Sequence, residues 1–170
     1  MSETTIEARQ GVPVSPAGIP TAATWYGTIV PGADTSSNAV DHVSNVEYVR
    51  WLDQVGQRHL ASLGWSGEDL LGAGAMWFVA RHEIDYRHEA HAGETLLVAT
   101  WVRDVRRVKS WRDTIVWRVN DSGPQTVCTA STLWVHVDLA SRRPVRPPAN
   151  MVAALLSGDS PGDPPWRERT

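Results

Sequence analysis

Cysteine is nearly absent from the sequence, which has only Cys128 among its 170 residues. A lone cysteine cannot form an intramolecular disulfide, and the chain has no CxxC pair or Cys/His ladder of the kind that binds zinc. The fold must therefore depend on a packed core. We expect a reducing, cytoplasmic location, no bound metal, and a Cys128 that is buried as a packing residue.

An excess of charge and long apolar runs are also missing. The 16 Lys and Arg nearly balance the 19 Asp and Glu, which gives a net charge of −3 and a pI near 6.0. Such a balance produces no general attraction to nucleic acid or to anionic membrane surfaces. No apolar run has the length that a membrane helix or a signal peptide needs. We therefore expect neither nucleic acid nor a membrane as a partner.

The composition is that of a folded domain, with 42% hydrophobic residues and nine Trp against one Phe. A chain of this length is expected to form one domain. Residues 1–22 and 157–170 mix Pro, Gly, Ser and Thr without periodicity and predict flexible tails. The folded domain is therefore expected at residues 23–156.

One long helix is predicted in the first half of this domain. Ser44 and Glu47 have the three-residue spacing of a capping box, which predicts that the helix starts there. Apolar residues then recur every three or four positions as far as Leu63, and Gly64 favours a stop. The pattern predicts an amphipathic helix of about five turns.

Strands are predicted on both sides of this helix. One lies before it, within 23–30, and four follow it, at 76–86, 94–106, 110–120 and 125–138. The connecting turns are short, so the pairing should be antiparallel. We expect an α+β fold in which a curved antiparallel sheet of about five strands wraps around one long central helix.

Two of these strands differ in how their faces should be covered. The strand at 94–106 is apolar on both faces, so we expect the helix to cover one face and a partner sheet or subunit to cover the other. In the strand at 110–120, Arg112, Thr114 and Arg118 share one face. That face is expected to be the wet side of the sheet.

The stretch DHVSNVEYVRWLD, at residues 41–53, resembles the loop-to-helix pattern of hotdog-fold thioesterases of the 4-hydroxybenzoyl-CoA thioesterase and acyl-ACP thioesterase type. The matching residues are His42, Val43, Asn45, Tyr48, Trp51, Leu52 and Asp53. The stretches EIDYRHEAHAGETLLVATWV and WVHVDLASRRPVRPP extend the resemblance over about residues 23–147. It implies a homodimer or homotetramer that hydrolyses an acyl-CoA or acyl carrier protein thioester without metal or organic cofactor.

One residue departs from this family's usual pattern. Four residues before His42, many members carry an aspartate that acts as nucleophile or general base, and this sequence has Asn38. An amide cannot take a proton from water as a carboxylate does. A minority that resemble enediyne polyketide thioesterases carry Asn there and work by positioning. They also carry a helical Arg, where this chain has Gly56 and, two residues on, Arg58.

The resemblance implies roles for residues around the helix start. The backbone amide of Asn45 would polarise the thioester carbonyl at the positive end of the helix dipole, while Asn38 orients water and substrate. His42 is either a catalytic or substrate-contacting residue or a structural cap, and both interpretations stay open. The remaining expected substrate contacts are Asp41, Val43, Tyr48, Trp51 and Arg58, with Tyr48 and Trp51 expected first of all in the core.

Two further features have alternative interpretations. The basic run at 103–112 suggests that Arg106, Arg107 and Lys109 clamp the phosphates of coenzyme A, or that they form a solvated hairpin end. The stretch HEIDYRHEAH, at 82–91, looks metal-like but predicts surface histidines. For the whole protein, the alternatives to a thioesterase are a hotdog protein that binds acyl chains without turnover and a polyketide-type dehydratase or cyclase.

Overall fold

The computed structural model of the protein describes residues 3–11, 14–36, 40–156, 164 and 166. Its three α-helices are α1 (Asn45–Ser62), α2 (Gly67–Gly72) and α3 (Ala149–Leu155). Its six strands are β1 (Thr5–Ala8), β2 (Trp25–Val30), β3 (Ala75–Tyr86), β4 (Leu96–Arg106), β5 (Lys109–Asn120) and β6 (Gly123–Asp138). None of the helices in these ranges is both long and apolar enough to cross a membrane.

The strands form one antiparallel sheet in the order β1-β2-β4-β5-β6-β3. Helix α1 packs against one face of this sheet, which we call the concave face. Trp51 and Val55 of α1 are buried there with Leu96 and Val98 of β4, because alternate residues of a strand point to the same side. The predicted architecture, a curved sheet around one long helix, is confirmed.

A second part of the core lies under the C-terminal half of α1. Leu60 packs there against Val102 of β4, and the short helices α2 and α3 close the layer with Leu70, Met151 and Leu155. Helices α2 and α3 thus close the end of the sheet away from the start of α1.

The opposite, convex face of the sheet is covered by the chain itself. Trp101 and Trp117 lie there, 2% and 0% exposed, and Ile19 and Trp166 pack against their cluster. The indole N–H of Trp117 donates to the carbonyl oxygen of Val14 at 3.0 Å. The expectation that a partner sheet or subunit covers β4 is therefore wrong for this surface, because segments that precede β2 and follow α3 already occupy it.

The N-terminal region also contains a strand that the sequence did not predict. Residues 5–8 pair with β2 in register from Thr5 opposite Val30 to Ala8 opposite Gly27. The side chain of Ile6 is 3% exposed and belongs to the α1 core. The expectation of a flexible tail over 1–22 is therefore wrong for this segment, and the sheet has one strand more than the sequence predicted.

The start of α1 is formed differently from the predicted capping box. Ser44 is the N-cap, with extended backbone angles of φ −67° and ψ 149°, but its side chain makes no capping hydrogen bond. Glu47 forms an ion pair with Arg50 instead. The predicted Ser44–Glu47 box is wrong, and a complete capping box occurs at α2, between Ser66 and Asp69.

Candidate functional site

A closed loop precedes the N-terminus of α1. Ser36 and Val43 form an isolated antiparallel bridge, and the Ser44 amide donates to the carbonyl oxygen of Thr35 at 2.9 Å. The Val43 amide donates to the carbonyl oxygen of Ala90 at 2.8 Å, which ties this loop to the segment before β4. Both ends of the loop are thus fixed directly in front of the helix. Asn38, predicted as the water-orienting residue, lies outside the described residues.

The N-terminal end of α1 presents backbone amides that its own N-cap does not cover. The first amides of an α-helix lack the usual partner one turn back, and the Ser44 hydroxyl makes no capping hydrogen bond to them. The Glu47 amide donates to the Ser44 carbonyl oxygen at 3.0 Å, which leaves the amides of Asn45 and Val46 as the candidate donors. Asn45, the first helical residue, is exposed. This end therefore combines open N–H donors with the positive end of the helix dipole, which suits an oxygen that gains negative charge.

Three predicted substrate contacts are core residues beneath this end. Val43, Tyr48 and Trp51 are 0%, 3% and 1% exposed, and the Tyr48 and Trp51 rings are 4.6 Å apart. Burial, reinforced by the nearby Cys128 thiol, raises the pKa of Tyr48 far above its ordinary value. Tyr48 is therefore a neutral phenol, and these residues support the helix start by packing.

The other predicted contacts near the loop lie at the surface. His42 is half-buried, while Asp41 and Arg58 are exposed. The ring of His91 donates through Nδ1 to the carbonyl oxygen of Asp41 at 2.7 Å, which anchors the loop from the β3–β4 connection. One chain therefore brings Asp41, His42 and Asn45 together at the start of α1, and it leaves Arg58 on the outer surface of the helix.

The predicted phosphate clamp lies at the opposite end of the sheet. Arg106 and Lys109 flank a two-residue turn between β4 and β5, and Arg107 in that turn has a positive φ of 57°. Along β5, this turn is seven residues, or about 23 Å, from Val116, which belongs to the same core cluster as Tyr48 near the start of α1. Within one chain the basic turn and the helix N-terminus are not brought together.

A cavity of about 160 Å³ lies between the C-terminal half of α1 and the concave face of the sheet. Three tryptophans, Trp65, Trp77 and Trp134, form much of its wall, and Asp53 and Arg112 also line it. None of these residues except Asp53 belongs to the motif from which the site was predicted. The cavity is thus a feature that sequence reasoning missed.

Arg112 corrects the interpretation of the β5 faces. The face with Arg112 and Thr114, predicted to be wet, is the concave face, and these side chains are 6% and 2% exposed. Arg112 donates through Nη1 to His59 Nδ1 at 2.9 Å and to Thr100 Oγ1 at 3.2 Å. Burial lowers the pKa of Arg112 to about 10, so its guanidinium stays charged at neutral pH.

The carboxylate of Asp53 lies on the helix side of the same cavity. It accepts a hydrogen bond from Gln57 Nε2 at 2.7 Å, and burial raises its pKa above the ordinary value, partly offset by nearby His82. His82 in turn is hydrogen-bonded through Nδ1 to Thr132 Oγ1 at 3.0 Å. The cavity therefore has a cationic wall on β5 and an acidic wall on α1.

The motifs that looked reactive in other ways are structural in the described parts of the chain. Burial raises the pKa of the Cys128 thiol to about 12, so the thiol is not a nucleophile at neutral pH. His88, in the metal-like stretch, is bonded through Nδ1 to the carbonyl oxygen of Thr126. Among the residues described, no group of three or more His, Cys, Asp or Glu is placed to hold a metal ion.

A curved antiparallel sheet around a single long helix, with an open helix N-terminus facing a fixed loop, defines the hotdog class of proteins. The sequence model of the thioesterase-like superfamily matches residues 35–155, and the chain belongs to that superfamily. The predicted family and the predicted enzyme class, a thioester hydrolase, are confirmed at this level.

Solved structures show the same fold. A 1,4-dihydroxy-2-naphthoyl-CoA thioesterase from Synechocystis is 18% identical, with a TM-score of 0.70 over 80% of this chain and 99% of that chain. The 4-hydroxybenzoyl CoA thioesterase from Pseudomonas sp. strain CBS-3 is 18% identical, with a TM-score of 0.69 over 77% and 98%. The dynemicin thioesterase is 18% identical, with a TM-score of 0.70 over 79% and 96%. A search of curated protein sequences gave no match.

Proposed function

We propose that this protein hydrolyses an acyl thioester of coenzyme A at the N-terminus of α1. The observation that carries the proposal is the open helix end at Asn45, where the N-cap side chain makes no capping hydrogen bond. Two of the similar structures are named as CoA thioesterases, which favours coenzyme A over an acyl carrier protein as the carrier.

The helix end stabilises the charge that develops in the reaction. When water attacks the thioester carbonyl, the carbonyl oxygen becomes an oxyanion, and the Asn45 amide donates to it. One such donor typically contributes about 100- to 1000-fold in rate. The tetrahedral intermediate then collapses: the C–S bond breaks, the thiolate of the carrier takes up the proton that the attacking water gives up and leaves as the thiol, and the acyl group leaves as the carboxylic acid. An alkyl thiol is acidic enough for its thiolate to leave without a strong acid, as the pKa of about 8.5 of the cysteine thiol illustrates.

Asn38 has the task of placing the water. It follows Ser36 by two residues in the sequence. Its amide can accept a hydrogen bond from water and donate one to the substrate, but it cannot remove a proton. His42, half-buried in the same loop, is the second side chain within this region that can contact substrate.

A homodimer would bring the basic turn to the same end as the site. β3 is an edge strand of the sheet, and its Phe78 and Val79 are 44% and 38% exposed. Two copies paired antiparallel along β3 would point their helices in opposite directions, because a twofold axis reverses the strand. The turn with Arg106, Arg107 and Lys109 would then serve the α1 N-terminus of the partner by binding the coenzyme A phosphates.

The test is thiol release from a panel of aliphatic, aromatic and β-ketoacyl thioesters. We expect turnover by the wild-type chain and a loss of about 100-fold in kcat for Asn38→Ala. Unchanged turnover in Asn38→Ala would rule out the role of this residue. Absence of release from every thioester, with binding retained, would favour the non-catalytic alternative, and a β-ketoacyl preference would favour polyketide release.

The proposed binding of coenzyme A phosphates by the basic turn can be tested separately, through the salt dependence of KM. Charge-assisted binding of phosphates weakens as salt screens it, so the KM for acyl-CoA should rise steeply with ionic strength. The KM for short thioesters that lack the nucleotide should not. Arg107→Gln should reduce the salt dependence for acyl-CoA, and an unaltered dependence would assign the turn to solvent.

A further inference from the structure

We infer that the cavity between α1 and the sheet, which we call the Arg112 cavity, binds a carboxylate. The acyl group that enters it carries this carboxylate at the end away from the thioester. The part that concerns the acyl group rests on the proposed function. The part that concerns binding of a carboxylate by the cavity does not depend on it.

Arg112 carries a buried positive charge. In the part of the chain that the structure describes, its hydrogen bonds go to the neutral acceptors His59 and Thr100, and no carboxylate forms an ion pair with it. The charge of Asp113 raises the pKa of Arg112, but burial outweighs it. The adjacent Asp113 is on the convex face, where it lies 3.3 Å from Arg103 and accepts from Ser131 at 2.6 Å. A buried charge that forms no ion pair is costly, so an anion that enters the cavity and contacts Arg112 gains a strong partner.

An unused hydrogen-bond donor lies beside the guanidinium. The indole Nε1 of Trp134 is buried and has no hydrogen-bond partner among the described residues. A Cβ on Gly56 would lie 3.3 Å from Cζ2 of Trp134 and 3.5 Å from Nε of Arg112. The indole edge and the guanidinium therefore meet over the bare backbone of Gly56. Two adjacent donors of this kind match the two oxygens of one carboxylate.

The size and polarity of the cavity suit a small acyl group that carries one charge. A cavity of about 160 Å³ is close to the volume that holds one benzene ring. Its tryptophan walls suit a flat or short apolar body, and Ser110 adds a hydroxyl on the strand side. Asp53, on the helix side, repels an anion, so the carboxylate has to bind at the Arg112 end.

The distance between the thioester and the cavity depends on the dimer proposed above. In one chain the cavity begins at Asp53, eight residues or about 12 Å along the helix from Asn45. In an antiparallel dimer, the cavity of one chain lies at the same end as the α1 N-terminus of its partner. A series of ω-carboxyacyl thioesters of increasing chain length therefore distinguishes the two arrangements: an acyl group that enters the cavity of the same chain, and one that enters the cavity of the partner.

The binding test uses the full chain with benzoate and its neutral isostere benzamide, followed by calorimetry. We expect the wild-type chain to prefer benzoate by about tenfold, because a charge-assisted pair replaces a neutral one. Arg112→Met should abolish this preference. Trp134→Phe, which removes the N–H donor together with part of the ring volume, should reduce it and also serves if Arg112→Met does not fold; Trp77→Phe matches the loss of volume.

A matched control exists on the same wall. The indole N–H of Trp77 is already bonded to the Met151 sulfur at 3.4 Å, so Trp77→Phe should keep the ratio of benzoate to benzamide affinity. Equal binding of the two probes by the wild-type chain would overturn the inference. So would a preference for benzoate that survives in both Arg112→Met and Trp134→Phe.

The turnover test compares ω-carboxyacyl-CoA with methyl-ended acyl-CoA of the same length. We expect kcat/KM to favour the carboxylate by about tenfold at one chain length, and Trp134→Phe to lower this preference. Hydrolysis of both series with no preference at any length would refute the acyl part of the inference. Hydrolysis of neither series would refute the proposed function, while the benzoate measurement would still decide whether the cavity binds a carboxylate.

Discussion

The Nη1 of Arg112 lies 2.9 Å from the Nδ1 of His59, and both side chains are almost fully buried. A guanidinium can only donate, so Nδ1 of His59 must accept and the ring proton must be on Nε2. His59 is therefore a neutral imidazole that holds Arg112 in place. Burial, and then the nearby charge of Arg112, lower the pKa of His59 to about 3.

This pair predicts a specific loss of stability in acid. His59 in the unfolded chain takes up a proton near pH 6.5, whereas the folded chain takes it up only near pH 3. The folded pKa is the lower one, so the stability is complete above pH 6.5 and is lost as pH falls towards 3. Within this window the unfolding free energy should fall by about 1.4 kcal/mol per pH unit for this one proton.

Urea unfolding at pH 7.5, 6, 5 and 4 measures the effect. His59→Asn keeps an acceptor near Nδ1 but does not titrate, so its stability should fall less steeply with acid than that of the wild type. Parallel curves for the two proteins would show that His59 does not carry the acid sensitivity.

Asn45→Pro tests the helix N-terminus as an oxyanion site. Proline is tolerated at the first helical position, and the extended backbone of Ser44 suits a residue before proline. The substitution removes the backbone N–H and should leave the helix intact. We expect kcat to fall by about 100- to 1000-fold, with Asn45→Ala, which retains the N–H, as the control. Equal kcat in the two variants would exclude this amide as the donor.

The two serines at helix starts should differ in their contribution to stability. The Ser66 hydroxyl accepts from the Asp69 amide at 3.2 Å, so Ser66→Ala should cost about 1 kcal/mol of unfolding free energy. Ser44 makes no such bond, and Ser44→Ala should cost only a few tenths of a kcal/mol. Thermal or urea unfolding of the two variants checks this, and a larger cost at Ser44 would reverse the assignment of the capping box.

Gly27→Ala tests whether β1 is part of the fold. A Cβ at Gly27 would lie 2.5 Å from the Trp25 ring and 2.6 Å from the carbonyl oxygen of Glu7, so either the ring or the β1 backbone has to move. We expect a loss of about 1–3 kcal/mol and faster proteolysis within residues 3–11. Gly72→Ala, where a Cβ meets nothing within 4 Å, is the matched control. Unchanged proteolysis in Gly27→Ala would mean that β1 does not depend on this close approach.

The long elements of the fold were predictable because their patterns are local and repeated. Strands β3 to β6 lie within two residues of their predicted ends. β1 was not predicted, because a four-residue strand with one core side chain, Ile6, is too short to show a period. Its partner β2 begins seventeen residues after β1 ends, at Trp25 and Ala8 respectively, and no local signal records that pairing.

The site was predictable only where a motif marks it. Alternation along β5 correctly grouped Arg112 with Thr114, but a period of two shows which residues share a face and not which face is covered. The burial of Arg112 follows from α1 lying above it, with Gly56 leaving room for its side chain. The Ser44–Glu47 spacing allowed a capping box, but Arg50 takes the Glu47 carboxylate instead. The role of Asn38 stays a prediction.

The segments that cover the convex face also limit how copies of this chain can assemble. A tetramer in which two dimers stack through these faces would have to displace Ile19 and Trp166 from the Trp101 and Trp117 cluster. The β3 edge carries no such cover among the described residues. The chain therefore blocks assembly through its own convex face, and we expect a dimer in solution. Trp166→Ala, which uncovers part of that face, is the variant in which we expect a tetramer.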